Sequence, residues 1–364
     1  MFTPRIINKI KKANLIGRGC NSFATADKWE LVRKAKTKDS KFVICNISES
    51  EPGVFKDKYI LEMWQERVVE GIKLAMKTVG AKKGFIYINP EYYDHFFDHL
   101  IATIRSQEVD IEIYEKPLHD YIGGEETAVI NSMEGKRVEP KLKPPYPTTE
   151  GFLNQPTLVN NCETFYAVSL INSDEYKNTR FYCCSLSTSA TNHSYASADK
   201  LFVLQNKQVL ELPTNITIRK ALLEFGHNPS DKYFYQVGGG AGGNCYNHKQ
   251  LNRKFSGLAS IIIYNKNKSE KDIVLKWLDF FKNESCGQCV PCREGTFRLR
   301  NIMEEYFQDN SSLNKEVFED LIYTLQNTSF CPLGRISANA MLSYFKNVKG
   351  RNLKVEFGEK CDIK

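Results

Sequence analysis

The stretch ESCGQCVPCREGT, residues 284–296, sets Cys286, Cys289 and Cys292 within seven residues. A C-x2-C-x2-C run turns three sulfurs onto one point, with Gly287 and Pro291 shaping the loop. Structural zinc sites use two separated C-x2-C knuckles. Three clustered thiolates plus one distant cysteine is the pattern of a [4Fe–4S] cubane, which needs one thiolate per iron. The remote candidate is Cys331 in SFCPLGR, followed by Pro332. Helical patterns over 296–307 and 315–327 predict an αα-hairpin that returns Cys331 to the loop. Cys361 is a weaker fourth candidate, and zinc or unrelated free thiols remain the alternatives.

A cluster held this way moves single electrons, so the rest of the chain is expected to supply a donor site. With 364 residues the chain suits two or three domains. Eleven cysteines in no disulfide-like spacing favour a reducing compartment. Most of the scattered ones, including Cys20, Cys45, Cys162, Cys183, Cys184 and Cys245, read as small buried hydrophobes. The net charge of +7 favours anionic ligands. No basic stripe interleaved with aromatics argues for nucleic acid. No run of about 18 apolar residues argues for a membrane span.

The first twenty residues are basic, amphipathic and free of acids. They read as a short helix leading to a glycine turn at Gly17, in preference to a targeting peptide. Strands are predicted at 41–46, 84–89 and 109–115, with helices over 57–80 and about 91–106. That alternation predicts a parallel α/β sheet up to about residue 195. Residues 188–200 read as a polar linker. Next come a hairpin at 201–213, a helix at 217–226, and a strand running into GGGAGG, 238–243. From about residue 268 the pattern is helical. His95 and His99 lie four apart on one helical face, without a third ligand in view, and a solvated face is the preferred reading. GGGAGG lacks the Gly-Lys-Ser/Thr ending of a P-loop.

Six stretches in order carry a resemblance: GRG…F.T..KW at 17–29, CNISESEPGVFKD at 45–57, YIGGEETAVINSMEGKR at 121–137, LKPPYP at 142–147, PTLVNNCETF at 156–165, and the cysteine loop. The chain resembles the flavin- and NADH-binding subunit of respiratory complex I, the bacterial NADH:quinone oxidoreductase. Related subunits occur in NAD-linked hydrogenases and formate dehydrogenases. The resemblance implies three domains. Residues 1–195 would hold the N-terminal helix, the glycine loop and a Rossmann-like FMN/NADH domain. Residues 196–266 would form a small ubiquitin-like β-grasp domain of the soluble-ligand-binding kind. Residues 267–364 would form a C-terminal helical bundle carrying the cluster.

The resemblance also implies roles. Gly17, Arg18 and Gly19 would offer a phosphate-binding turn, with Lys28 as a cation. Asn46, Glu49 and Ser50 would face the flavin ribityl or ring, with Gly124 and Glu125 along it. Asn160, Asn161 and Thr164 would meet the phosphate end. Glu51 and Glu126 would contact NADH, and Phe23, Tyr121, Lys143 and Tyr146 would wall the nucleotide. GGGAGG would be a structural loop over the flavin. FMN and a [4Fe–4S] cluster would be the cofactors and NADH the substrate, with no side chain acting as acid or base. A thioredoxin-like [2Fe–2S] subunit and a ferredoxin-containing large subunit would be partners. The place implied is the cytoplasm, peripheral on the inner face of the cytoplasmic membrane through those partners, or the matrix side in an organelle.

The sequence departs from the family pattern around the nucleotide. Cys20, Asn21 and Ser22 stand where the glycine loop continues. Leu31 replaces an aromatic, Ser48 the aspartate of the flavin turn, and Gly123 the cysteine before Gly-Glu-Glu. Two readings follow: an NADH dehydrogenase subunit with a modified flavin loop, or a cluster-bearing electron-transfer subunit that takes electrons from a protein donor.

Overall fold

A computed structural model describes residues 4–19, 23–117, 120–187, 204–309 and 314–351. Cys20, Asn21, Ser22, the linker at 188–200 and Cys361 lie outside the described residues.

The β-branched runs of the N-terminal half become parallel strands: β1 (Lys41–Ile47), β2 (Ala81–Ile88), β3 (Ile111–Glu115) and β4 (Thr157–Asn161), in the order β3-β2-β1-β4. Val43, Ile44 and Cys45 are all fully buried, as a sheet covered on both faces requires. Two helices cross over between these strands, α3 (Lys56–Val79) and α4 (Pro90–Ser106); α1 (Arg5–Lys12) and α2 (Thr25–Lys34) precede them. Gly80, at φ 79°, ends α3 in the left-handed conformation that glycine adopts without penalty. Between β3 and β4 lies α5 (Glu126–Met133), and α6 (Cys162–Asn172) follows β4 directly. At the α3–α6 crossing a Cβ on Gly71 would stand 2.1 Å from Phe165 O, so only glycine allows this approach. Trp29 of α2 is wholly buried in the same core, where a large apolar side chain is worth about 1.5–3 kcal/mol.

The second sheet is mixed, in the order β6-β5-β9-β7-β8, with β5 (Thr179–Ser187), β6 (Leu204–Pro213), β7 (Tyr233–Val237), β8 (Asn244–Asn247) and β9 (Ser260–Asn265). β5 and β9 are parallel at its centre, and α7 (Ile218–Glu224) packs on one face. Two expectations need correction here. The hairpin expected at 201–213 is, over its described part, a single strand. The polar residues that read as a turn form a bulge opposite Ser185, with Asn206 at φ 51°. And β5 lies before the expected boundary at residue 195, yet pairs only within the second sheet.

The helical remainder comprises α8 (Glu270–Asn283), α9 (Val290–Asp309), α10 (Lys315–Thr328), α11 (Pro332–Ile336) and α12 (Asn339–Tyr344). Trp277, Leu299, Met303, Phe318 and Ile322 form its core together with Phe234 and Tyr264 of the second sheet. α9 starts six residues earlier than its apolar spacing predicts, so Cys292 already sits in its first turn. A further small core joins Cys289, Cys292 and Cys331 to Phe280, Ile122 and Ala241. The three parts of the chain therefore meet at the cysteines.

Candidate functional site

At the C-terminal ends of β1 and β4 the glycine turn packs against the start of α6. Gly17 N–H donates to Phe23 O at 2.9 Å, and Arg18 N–H to the buried Thr164 Oγ1 at 3.0 Å. A Cβ on Gly19 would lie 3.8 Å from Asn161 Cβ, which leaves room over that backbone. Asn161 caps α6, its Oδ1 accepting from Glu163 N at 3.1 Å and from Lys56 Nζ at 2.8 Å. Asn160 Oδ1 accepts the Trp29 indole N–H at 3.0 Å. The Arg18 side chain does not join the turn. It runs inward, donating to Tyr176 Oη at 2.7 Å and Thr179 O at 3.2 Å beside Glu163, and anchors the turn to the second sheet.

The turn after β1 is the second wall. Asn46 Nδ2 donates to Gly124 O at 2.9 Å, and Asn46 Oδ1 accepts from Ser48 N at 3.1 Å. A Cβ on Gly124 would come within 3.2 Å of Ser48 O, so the two segments pack closely. Glu49 and Glu51 turn their carboxylates to the fold itself. Glu49 accepts from Asp57 N at 3.0 Å and Tyr92 Oη at 3.0 Å, capping α3. Burial, with Asp57 adding to it, lifts its carboxyl to about 8. Glu51 Oε1 accepts from Ala241 N at 2.9 Å within GGGAGG, and burial lifts it to about 7. A Cβ on Gly239, at φ 111°, would fall 2.3 Å from Glu51 Oε1. The glycine loop thus clasps the turn, as expected of a structural loop there.

At the mouth, charges alternate. Lys28 Nζ lies 2.8 Å from Glu126 Oε2; Lys143 Nζ lies 2.7 Å from Glu126 Oε1 and 2.9 Å from Glu125 Oε1. Burial alone would raise the Glu126 carboxyl, but Lys28 and Lys143 hold it at about 2. Glu125 also caps α5 through Thr127 N at 2.8 Å. Phe23, Leu31 and Tyr146 stand about half exposed, at 49%, 49% and 51%. Exposed rings suit the stacking contacts of a nucleotide, and lysines its phosphates.

The αα-hairpin forms as expected. Cys286, Cys289, Cys292 and Cys331 line one cavity with Ile122, Pro140, Phe330 and Leu333. Gly295 admits Leu325 of α10 against α9, a Cβ there falling 2.8 Å from Leu325 Cδ2. A Cβ on Gly334 would stand 3.0 Å from Cys292 Cβ, so glycine draws the Cys331 turn in. Burial lifts the Cys292 thiol to about 12 and Cys331 to about 11, and a central cation would be needed to draw out the thiolates. Among the described residues no three His, Cys, Asp or Glu side chains close on a single-ion point. Arg137 donates to Cys286 O, and Arg293 to Gly287 O at 3.0 Å, placing positive charge at the rim.

Tyr121–Gly124 connects the two places. Tyr121 N donates to Glu284 Oε2 at 2.8 Å, and its ring meets Phe280 edge-on at 5.2 Å. Ile122 lines the cysteine cavity, and Gly124 holds Asn46.

Comparison with known proteins decides what this arrangement is. Residues 10–170 match the Nuo51 FMN-binding domain, and residues 272–351 the NADH-ubiquinone oxidoreductase-F iron–sulfur binding region. The chain is 33% identical over 363 residues to the NADH-quinone oxidoreductase-F protein of Aquifex aeolicus, covering 93% of this chain and 82% of that one. The chain belongs to the NADH-quinone oxidoreductase-F family. It is also 31% identical to the NAD-reducing hydrogenase HoxS subunit alpha of Cupriavidus necator, over 93% of this chain and 58% of that protein. A crystal structure of an NAD+-reducing [NiFe]-hydrogenase in the H2-reduced state superposes with a TM-score of 0.82 at 27% identity, over 94% of this chain. The chain spans 61% of that hydrogenase chain.

The residues fit the family's two cofactors. Open backbone at Gly19, the α6 N-terminus and Lys28 suit a flavin phosphate. Four thiols in a largely apolar cavity with arginines at its rim suit an anionic cluster. Sequence reasoning missed Lys116, a fully buried lysine that binds Ser48 and Ser50. Its one signal was its place directly after β3, at the ligand-binding end of a parallel sheet. His95 and His99 are exposed, as a solvated face requires.

Proposed function

We propose that this chain is the electron-input subunit of a complex I-like NADH:quinone oxidoreductase. It takes a hydride from NADH onto FMN and passes single electrons to a [4Fe–4S] cluster on Cys286, Cys289, Cys292 and Cys331. The observation that carries this is the run Ile122–Gly124. One residue walls the cysteine cavity, and the residue two further on holds the flavin turn, a backbone span of at most about 7 Å. FMN supplies the conversion of a two-electron transfer into single steps.

The protein's part is alignment and exclusion of water. Gly17, Gly19, Asn160, Asn161, Thr164 and Lys28 would hold the phosphate end. Asn46, Ser50, Gly124 and Glu125 would lie along the flavin, with Glu49 and Glu51 bracing their turn. Phe23, Tyr121, Lys143, Tyr146 and Glu126 would frame NADH. The strand order β6-β5-β9-β7-β8 with α7 crossing supports a β-grasp unit. α8 to α12 support a helical cluster-bearing bundle. A thioredoxin-like [2Fe–2S] subunit and a ferredoxin-containing subunit are the proposed partners. Among the described residues no helix is long and apolar enough to cross a membrane, so membrane association would be peripheral, through those partners.

The paired Lys28, Glu126 and Lys143 with their exposed rings favour NADH as donor over a protein. Anaerobic purification with flavin and iron assays, followed by NADH addition, tests this. One FMN and about four irons per chain, with flavin bleaching on NADH, is the expected outcome. Iron without FMN or an NADH response would make the chain a wire for a protein donor.

A further inference from the structure

Two of the departures from the family pattern, Ser48 and Gly123, prove to touch the same side chain. Lys116 Nζ donates to Ser48 Oγ at 2.9 Å and to Ser50 Oγ at 3.4 Å, both on the flavin turn. It lies 2.8 Å from Asp120 Oδ1, and also donates to Asp120 O. Its own backbone N–H pairs with Ile88 O at 2.8 Å, which fixes it at the ligand end of β3. A Cβ on Gly123 would fall 2.6 Å from Lys116 Cε and 2.4 Å from Asp120 Oδ1. Lys116 and Asp120 together therefore occupy the space that a side chain at 123 would need. The amine also meets a hydroxyl where the family pattern has an aspartate. Burial pulls the ammonium's pKa down, while Asp120 and then Glu284 work against this.

From this geometry we infer that Lys116 is a positioning residue for the flavin, an interior cation that clamps residues 48–50 to 120–124 where the family pattern has an aspartate and a cysteine. Ser48 and Gly123 are then one coupled change around Lys116, not two independent losses. The clamp explains how a turn without its aspartate and cysteine keeps the close Ser48–Gly124 contact. It also sets a positive charge behind the turn. A cation there favours the reduced, more negative flavin, so the flavin of this chain is easier to reduce than it would be without Lys116. The inference rests on the proposed FMN site.

Two experiments test it. Lys116→Met keeps the length and removes the charge; the midpoint potential of its bound flavin is read by spectroelectrochemistry. The expected result is a shift of about tenfold or more in the reduction equilibrium against the flavin's reduction, about 30 mV for a two-electron couple. A purely structural lysine would leave the potential of the bound flavin unmoved. The second is a double-mutant cycle in thermal unfolding of Gly123→Ala and Lys116→Thr. Gly123→Ala is expected to destabilise the native chain, and to do so less beside Lys116→Thr, where only the approach to Asp120 Oδ1 remains. Wild type that binds FMN, with an unchanged potential in Lys116→Met or strictly additive effects in the cycle, overturns this inference alone. Wild type that binds no FMN overturns the site reading and this inference with it.

Discussion

Asn46 donates its side-chain amide to Gly124 O at 2.9 Å, and this one bond ties the turn after β1 to the segment that walls the cysteine cavity. The same Asn46 accepts from Ser48 N, so both edges of its amide are spent on holding that geometry. Asn46→Ala is expected to cost about 0.5–1.5 kcal/mol in stability and to loosen FMN at least several-fold. Urea unfolding and FMN retained after gel filtration check the two effects separately.

Gly239 is the tightest point of the clasp around Glu51. Its φ of 111° and the 2.3 Å approach of a Cβ to Glu51 Oε1 leave no room for a side chain. Gly239→Ala is expected to destabilise the chain by roughly 1–3 kcal/mol, whereas Gly135→Ala, where a Cβ meets nothing within 4 Å, is expected to cost less despite its φ of 69°. Comparing the two denaturation midpoints decides this.

Glu51 should also leave a mark on the pH dependence of stability. Burial raises its carboxyl from 4.5 to about 7, so the unfolded chain gives up this proton first. Stability from this group is full below about pH 4.5 and falls as pH rises through about 7. Glu51→Gln is expected to remove a loss of order 1–3 kcal/mol across that window. Equal slopes for both proteins in chemical unfolding at pH 5, 6, 7 and 8 would exclude this assignment.

The fourth ligand is decided by iron. Cys331→Ser is expected to lower iron from about four per chain while FMN stays bound, because Cys331 lines the cysteine cavity and the glycine turn packs on α6 instead. Cys361→Ser is expected to leave iron unchanged. The reverse pattern would move the fourth thiolate to Cys361.

Much of the fold was legible because the strands at 41–47 and 81–88 are buried runs and the helices between them keep apolar spacing. The cluster loop was legible because three thiolates at fixed spacing have few uses. What stayed hidden is non-local. FYCCSL in β5 falls inside the region assigned to the first sheet, and only its pairing with β6 and β9 places it elsewhere. QNK at 205–207 reads as a turn because turn and bulge share polar residues and positive φ. Glu49 and Glu51 sit in a ligand-binding motif, yet Tyr92 and the glycine loop, which take them, are distant in sequence. Arg18 read as a phosphate ligand from its glycine neighbours, although its partners, Tyr176 and Thr179, lie some 160 residues away. Lys116 carried no motif at all, and Ser48 and Gly123 looked like losses until the lysine between them was seen.

The central claim is that electrons from NADH reach the cluster through the flavin. The direct test is an anaerobic NADH titration of the loaded protein, with flavin followed by absorbance and the cluster by low-temperature EPR, alongside the same protein stripped of FMN. The account predicts flavin bleaching and a reduced-cluster signal in the loaded protein and neither in the stripped one, with both restored by added FMN. A cluster that stays oxidised while the flavin is fully reduced, given a chemical reductant able to reduce it, would contradict the account.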